Sequence, residues 1–284
     1  MSQQFVRSLF LSGRNSLLRH YVKEEAETIV CWLIEHFMGL SRVDILLDRP
    51  ISEVPLAYSE ALEQVLAGVP IQYVLGEALF YGRTFLVDSN VLIPRRETEE
   101  LVHWIIQAHP QSRLRVLDIG TGSGCIPITL ALELQHPSVH ALDISEHALG
   151  VAKKNAQRHH VAMAFHQLDV LNDALPPGGW DIIVSNPPYV TQREATSILP
   201  HVLDHEPHLA LFVPDHAPLL FYAAITSKAM DSLVPGGMLY VEINESFGEE
   251  TRQLFLETGL EKVEIKRDMQ GKDRMVRGQK PLLG

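Results

Sequence analysis

The sequence predicts an α/β fold: a largely parallel sheet covered by helices on both faces, preceded by a small N-terminal helical domain. Three observations carry this. From residue 114 onward, short unbroken apolar runs alternate with longer amphipathic ones. That is the pattern of strands buried on both faces and linked by crossover helices. Residues 1–75 instead read as helices, with apolar side chains recurring at a period near 3.6. A glycine-rich turn, Asp118 to Gly124, stands between the first apolar run and the helix after it.

In chain order, Ala26, Ile29, Val30, Leu33, Ile34, Phe37 and Met38 make one helical stripe over 26–40, and Gly39 helps to end it. Ser59 is the expected cap of a second helix, with Leu62, Val65 and Leu66 on its apolar face and Gly68 closing it. Both stripes read as bundle core. Residues 71–95 change character: short apolar runs are broken by Gly76, Gly82 and Asp88–Ser89–Asn90. A hairpin or a pair of short strands is expected there, with the linker at 76–94. Pro94 opens a new segment, and a helix follows with Leu101, Val102, Ile105 and Ile106 on one face. Strands are then expected at 115–120, 139–145, 163–169, within 180–189, at 236–244, 260–268 and 273–280, the last two as an antiparallel pair at the sheet's end. Helices are expected at 125–135, 146–159, 219–233 and 249–259. No internal repeat or low-complexity tract interrupts this order.

Composition narrows the function. The formal net charge is -11, from 24 basic and 35 acidic side chains. That disfavours a broad grip on nucleic acid, which needs Lys and Arg against phosphate. Two cysteines, Cys31 and Cys125, cannot build a disulfide framework or a thiolate metal site. None of the 14 histidines falls in a metal-ligand spacing. No run reaches the ~18 apolar residues of a membrane span, and the N-terminus lacks an export signal. The expectation is a cytoplasmic, monomeric protein without metal or membrane partners.

The glycine turn reads as a ligand site. Gly120, Gly122 and Gly124 let backbone approach a ligand where a β-carbon would clash. Asp143 closes the next strand and is placed for ribose hydroxyls; Asp169 closes the third. All three strand-end acids are expected to face the crevice beyond the strands. Asp118, two residues before the first glycine, would repel a pyrophosphate but suits a cationic amino-acid group. S-adenosylmethionine meets these terms: no phosphate, a sulfonium, an α-amino group and ribose hydroxyls. The candidate cofactor contacts are Asp118, Gly120, Thr121, Gly122, Gly124, Asp143, Asp169 and Asn186.

After the fourth strand come Asn186-Pro187-Pro188-Tyr189. The Asn186 carbonyl can accept a hydrogen from a planar NH2 group, and the proline after it keeps the Asn backbone extended. The Pro187 carbonyl is a second acceptor. Tyr189 offers a flat face. An amide nitrogen is a poor nucleophile because its lone pair is delocalised, and attack on a methyl sulfonium gives it positive character. Two fixed oxygens would stabilise that charge and hold the nitrogen in line. No metal is needed for this chemistry.

These motifs, with Gly68-Val69-Pro70-Ile71-Gln72-Tyr73, Phe80-Tyr81-Gly82, Leu92-Ile93-Pro94-Arg95-Arg96-Glu97-Thr98-Glu99 and Glu206-Pro207, make the chain resemble the peptide chain release factor N5-glutamine methyltransferases over nearly its whole length. The resemblance implies a helical substrate-recognition domain at 1–75, a hairpin linker at 76–94 and a seven-stranded class I methyltransferase (Rossmann-like) domain at 95–284. It implies S-adenosyl-L-methionine as cofactor and the glutamine of the Gly-Gly-Gln loop of class 1 release factors as substrate. By the same resemblance Asn186 and Pro187 bind the amide, Tyr189 lines it, and Pro188 shares the loop. Arg95, Glu97 and Thr98 lie at the pocket rim, Asp143 holds the ribose, and Asp169 lies by the adenine. Two departures stand out: Arg96 where the family has proline, and the run Ala210 to Pro218 after Glu206-Pro207. Asp268, Gly271 and Arg274 match a structural family ending.

Two other readings use the same residues. An exocyclic base amine is also planar with two hydrogens, so the loop could serve a nucleobase N-methyltransferase after base flipping. Six basic against nine acidic residues in the first 75 count against it. A noncatalytic assembly protein that kept the cofactor fold should carry a damaged pocket or loop, and here both are whole.

Overall fold

The structure, a computed structural model, describes residues 4–111, 113–197 and 200–282. The described residues divide into two compact units, 4–76 with 200–205, and 77–197 with 206–282.

The first unit runs β1 (Gln4–Phe5), α1 (Val6–Leu17), α2 (Lys23–Met38), α3 (Arg42–Leu46), β2 (Pro50–Ile51), α4 (Leu56–Leu66) and α5 (Ile71–Leu75). The α2 stripe is as expected: Ala26, Ile29, Val30, Leu33 and Ile34 are buried, and Gly39 caps the helix in the left-handed conformation at φ 64°. Two expectations fail. Ser59 lies inside α4, which starts at Leu56 after Pro55. The earlier start buries Tyr58 beside Ala61 and Val65. Residues 71–75 form a helical turn, not a strand. Pro70 and a left-handed Gly76 bracket it, and Ile71, Val74 and Leu75, at i, i+3 and i+4, join the helical core.

The second unit continues with β3 (Glu77–Phe80), β4 (Arg83–Leu86), α6 (Arg96–Ala108), β5 (Arg115–Ile119), α7 (Cys125–Glu133), β6 (Ser138–Asp143), α8 (Glu146–Arg158), β7 (Ala164–Gln167), β8 (Trp180–Ser185) and β9 (Val190–Thr191). It ends with β10 (Phe212–Val213), α10 (Leu220–Ser232), β11 (Leu233–Glu242), α11 (Gly248–Glu257), β12 (Glu261–Arg267) and β13 (Asp273–Gln279); α9 (Pro200–His205) falls with the first unit. β3 and β4 pair as a hairpin. Its turn residues, Tyr81 and Gly82, both have positive φ, 49° and 72°, the type I′ geometry that suits twisted strands.

Seven strands form one sheet in the order β12-β13-β11-β8-β5-β6-β7. β11, β8, β5, β6 and β7 are parallel; β13 is antiparallel to both its neighbours. Period-two alternation sends Val116, Ile182 and Tyr240 into one core cluster and Leu117, Ile183 and Val241 into the other. The chain order reverses between β5 and β8, and in open α/β sheets ligands bind at that switch point, beyond the strands' carboxyl ends. Among the described residues no helix is long and apolar enough to cross a membrane.

Candidate active site

Register lines up the loops that matter. Ile119 pairs with Leu142 and with Ser185, and Ser185 with Val241. The next residue along each strand is therefore Gly120, Asp143, Asn186 and Glu242, one tier across the switch point. The Ser185 hydroxyl donates to the Ile119 carbonyl at 2.7 Å, which ties the ends of β5 and β8 together.

The glycine turn is stitched to β6. The N–H groups of Gly120 and Thr121 donate to the Leu142 carbonyl, at 2.9 and 3.0 Å. Gly122 N–H donates to Asp143 Oδ2, and Ser145 N–H to Asp143 Oδ1, both at 2.9 Å. Burial raises the Asp143 carboxyl above its usual range against those backbone donors. Asn155 braces the turn from beneath. Its amide NH2 donates to the Ser123 carbonyl (2.8 Å) and the Leu86 carbonyl (2.9 Å), and its carbonyl accepts from Leu86 N–H (2.7 Å). Sequence reasoning did not single out Asn155. Its signal is a polar residue on the apolar stripe of α8, among Ala148, Leu149, Val151, Ala152 and Ala156.

The turn fits a cofactor without phosphate. Gly120, Gly122 and Gly124 all have positive φ. A β-carbon on Gly120 or Gly122 would meet open space, so backbone there can lie against a ligand. Both carboxylate oxygens of Asp118, and Thr121 Oγ1, are buried, and among the described residues none of the three atoms is in a well-formed hydrogen bond. Burial pushes the Asp118 carboxyl up to about 7; the neighbouring Thr121 hydroxyl opposes the rise and the Asp143 charge adds to it. A buried, unpaired carboxylate is costly until a cation meets it. Asp169 sits differently from expectation: β7 ends at Gln167, and the Asp169 carboxylate accepts from Leu171 N–H (2.8 Å) and the Asn172 amide (2.6 Å) in its own turn.

The amide loop is held from below by a carboxylate that sequence reasoning missed. Asn186 Nδ2 donates to Thr98 Oγ1 at 3.1 Å, and Thr98 Oγ1 donates to Glu242 Oε2 at 2.6 Å. The Tyr189 hydroxyl donates to Glu242 Oε1 at 3.1 Å. Burial raises Glu242 to about 6 and holds the Tyr189 phenol well above its usual range. The Tyr189 ring packs against the sheet core, and the Asn244 amide donates to its backbone carbonyl. No described residue donates to Asn186 Oδ1 or to the Pro187 carbonyl. Pro187 is buried, and Pro188 is partly so.

The Arg95–Glu99 segment departs from a simple rim. Thr98 is buried, 3% exposed, with its hydroxyl engaged on both sides. The cause is helical: Thr98 is the third residue of α6, on the face that packs toward β11. Arg95 pairs with the buried Glu206 at 2.7 Å, and Glu206 also accepts from Ile93 N–H. Glu97 is half-buried in the first turn of α6, and its charge acts on Glu242. Glu99 accepts from Tyr81 N–H and braces the hairpin turn. Arg96 is the first helical residue, a position where proline is common only because its missing N–H is not needed; arginine keeps the helix start. The departing run after Glu206-Pro207 contains β10, which pairs with β9 directly after the amide loop.

A glycine turn with open space against its backbone, and a buried acid beside it, lies at the switch point of an open parallel sheet. This makes the chain a class I methyltransferase that uses S-adenosylmethionine. The fold agrees: a methyltransferase from Pyrococcus furiosus superposes with a TM-score of 0.52 over 79% of this chain and 100% of its own, at 16% identity. Residues 98–208 match the family described as "Methyltransferase small domain", and residues 9–76 the "PrmC N-terminal domain". Among curated relatives, the release factor glutamine methyltransferase of Flavobacterium psychrophilum is 44% identical over 90% of this chain and 92% of its own. The namesakes from Bacteroides thetaiotaomicron and Streptococcus pneumoniae are 41% and 37% identical, over 93% and 94% of this chain and 96% of their own. The chain belongs to the release factor glutamine methyltransferase family.

Proposed function

We propose that the protein methylates the side-chain amide nitrogen of the glutamine in the Gly-Gly-Gln motif of class 1 release factors, in the cytoplasm. The observation that carries this is the shared tier of Gly120, Asp143 and Asn186 on β5, β6 and β8. It sets the amide loop beside the cofactor turn.

S-adenosylmethionine, when bound, supplies an electrophilic methyl carbon. Asp118 would meet its α-ammonium, Asp143 its ribose, and the bare backbone of Gly120 and Gly122 would allow close approach. Asn186 Oδ1 and the Pro187 carbonyl accept the two hydrogens of the glutamine NH2. They fix the nitrogen's direction and stabilise the positive charge it gains. The nitrogen then loses one proton to solvent, so a strong base is not required. Tyr189, tied to Glu242, keeps the loop in place. The helical unit is assigned to recognition of the release factor.

The test is Asn186→Ala. Methylation should fall by at least about 10²-fold, the size of effect for one oriented partner of developing charge, while cofactor affinity, to which Asn186 is one candidate contact among eight, falls far less. Mass spectrometry of the treated release factor should place the methyl on the glutamine. A methyl on a nucleobase, or an Asn186→Ala rate equal to wild type, would end this reading.

A further inference from the structure

We propose that Glu242, acting through Thr98, is the positioning residue that decides which way the Asn186 amide faces; the inference rests on the role given to Asn186 above.

A threonine hydroxyl has one proton. At 2.6 Å from Glu242 Oε2, Thr98 donates it to a carboxylate that, when ionised, can only accept. What Thr98 then offers Asn186, 3.1 Å away, is a lone pair. Only the NH2 end of Asn186 can answer a lone pair. Its carbonyl must therefore turn to the other side, where the substrate NH2 needs an acceptor. Without the carboxylate, the amide could sit either way round at similar cost, and half of those orientations would present a donor to a donor. The second oxygen of Glu242 holds the Tyr189 hydroxyl at 3.1 Å, so one carboxylate sets both ends of the loop. Glu242 is 1% and Thr98 3% exposed, so water does not replace either partner.

Protonation would reverse the relay. A proton on Glu242 Oε2 would be donated to Thr98, whose own proton would then point at Asn186 and draw its carbonyl inward. The groups facing Glu242 are Arg274, which favours its charge, Glu97, which opposes it, and the phenols of Tyr189 and Tyr222, both raised by burial and neutral. Burial leaves Glu242 titrating at about 6, ionised at neutral pH and within reach of the reversal below it.

The experiment compares wild type, Thr98→Val, Thr98→Ser and Glu242→Gln in release-factor methylation. Thr98→Val keeps the shape and removes the relay. Its kcat should fall about ten- to hundred-fold, with cofactor Kd within about twofold of wild type. Thr98→Ser, which keeps the hydroxyl, should restore most of the rate. The acid limb of the wild-type kcat profile, between about pH 5 and 7.5, should be absent from Glu242→Gln, and this variant also decides the matter if Thr98→Val does not fold. Thr98→Val at the wild-type rate, Thr98→Ser as slow as Thr98→Val, or an acid limb retained in Glu242→Gln overturns the inference alone. A wild type that puts no methyl on the glutamine overturns the functional reading, and the inference with it.

Discussion

Asp118 makes the cost of an empty cofactor site measurable. Its carboxyl is fully buried, with no ion-pair partner among the described residues, and its pKa is raised from the usual 3.8 to about 7. A raised acid pKa means the folded chain favours the proton more than the unfolded chain does. Stability of the cofactor-free protein should therefore fall as pH climbs from about 4 to about 7, and stay low above it. The loss is on the order of 4 kcal/mol if the whole shift is realised. Asp118→Asn removes the titration. The variant should match wild type near pH 4 and exceed it near pH 8, as measured by urea unfolding, yet gain less from added cofactor. Parallel pH profiles for the two proteins would show that Asp118 is not the strained group. Glu242 is equally buried; Thr98 and Tyr189 both donate to it, Arg274 favours its charge, and its pKa rises to about 6.

At the scale of elements, the turn from β5 into α7 separates two uses of glycine. Gly120 and Gly124 share a left-handed backbone, φ 75° and 80°. An alanine in that conformation costs roughly 1–2 kcal/mol at either position. A β-carbon on Gly120 meets open space, whereas on Gly124 it comes within 3.1 Å of both the Ala152 β-carbon and Ile128 Cδ1, where α7 packs on α8. Gly124→Ala should lose a further 1–3 kcal/mol or so from overpacking. Gly120→Ala should keep more stability but lose cofactor affinity, because its methyl occupies the ligand's side of the turn. Equal stability losses, with cofactor affinity intact in Gly120→Ala, would contradict this division. The sequence made such elements legible where local pattern decides them: the strands alternating with helices, the stripe of α2, and a hairpin or pair of short strands within 71–95. Pattern failed where two local signals competed. Residues 71–75 carry β-branched and aromatic side chains, yet Pro70 and Gly76 enclose one helical turn that buries Ile71. Ser59 is a good cap by type, but Pro55 starts the helix earlier and brings Tyr58 into the core. Glu242 was hidden for another reason: it ends an apolar strand, and its partner Thr98 lies 144 residues away. No window of sequence contains both.

For the whole molecule, charge separates the two substrate classes that one amide loop could serve. In the role proposed for it, the loop would offer acceptors to any planar NH2 group, whether glutamine amide or base amine, so the choice between them lies elsewhere on the protein. A polynucleotide substrate brings a phosphate backbone that must be neutralised by Lys and Arg. This chain has net charge -11, and its first 75 residues, the part assigned to recognition, hold six basic and nine acidic side chains. The long-range field therefore repels a polyanion before any base could be flipped toward Asn186. DNA or RNA added in large excess should leave the rate of release-factor methylation within about twofold of its value without competitor, at low salt, where electrostatic attraction is strongest. Inhibition that deepens as salt is lowered would reveal a basic track that the total charge conceals. It would also return the exocyclic base amine to contention as a substrate of Asn186 and Pro187.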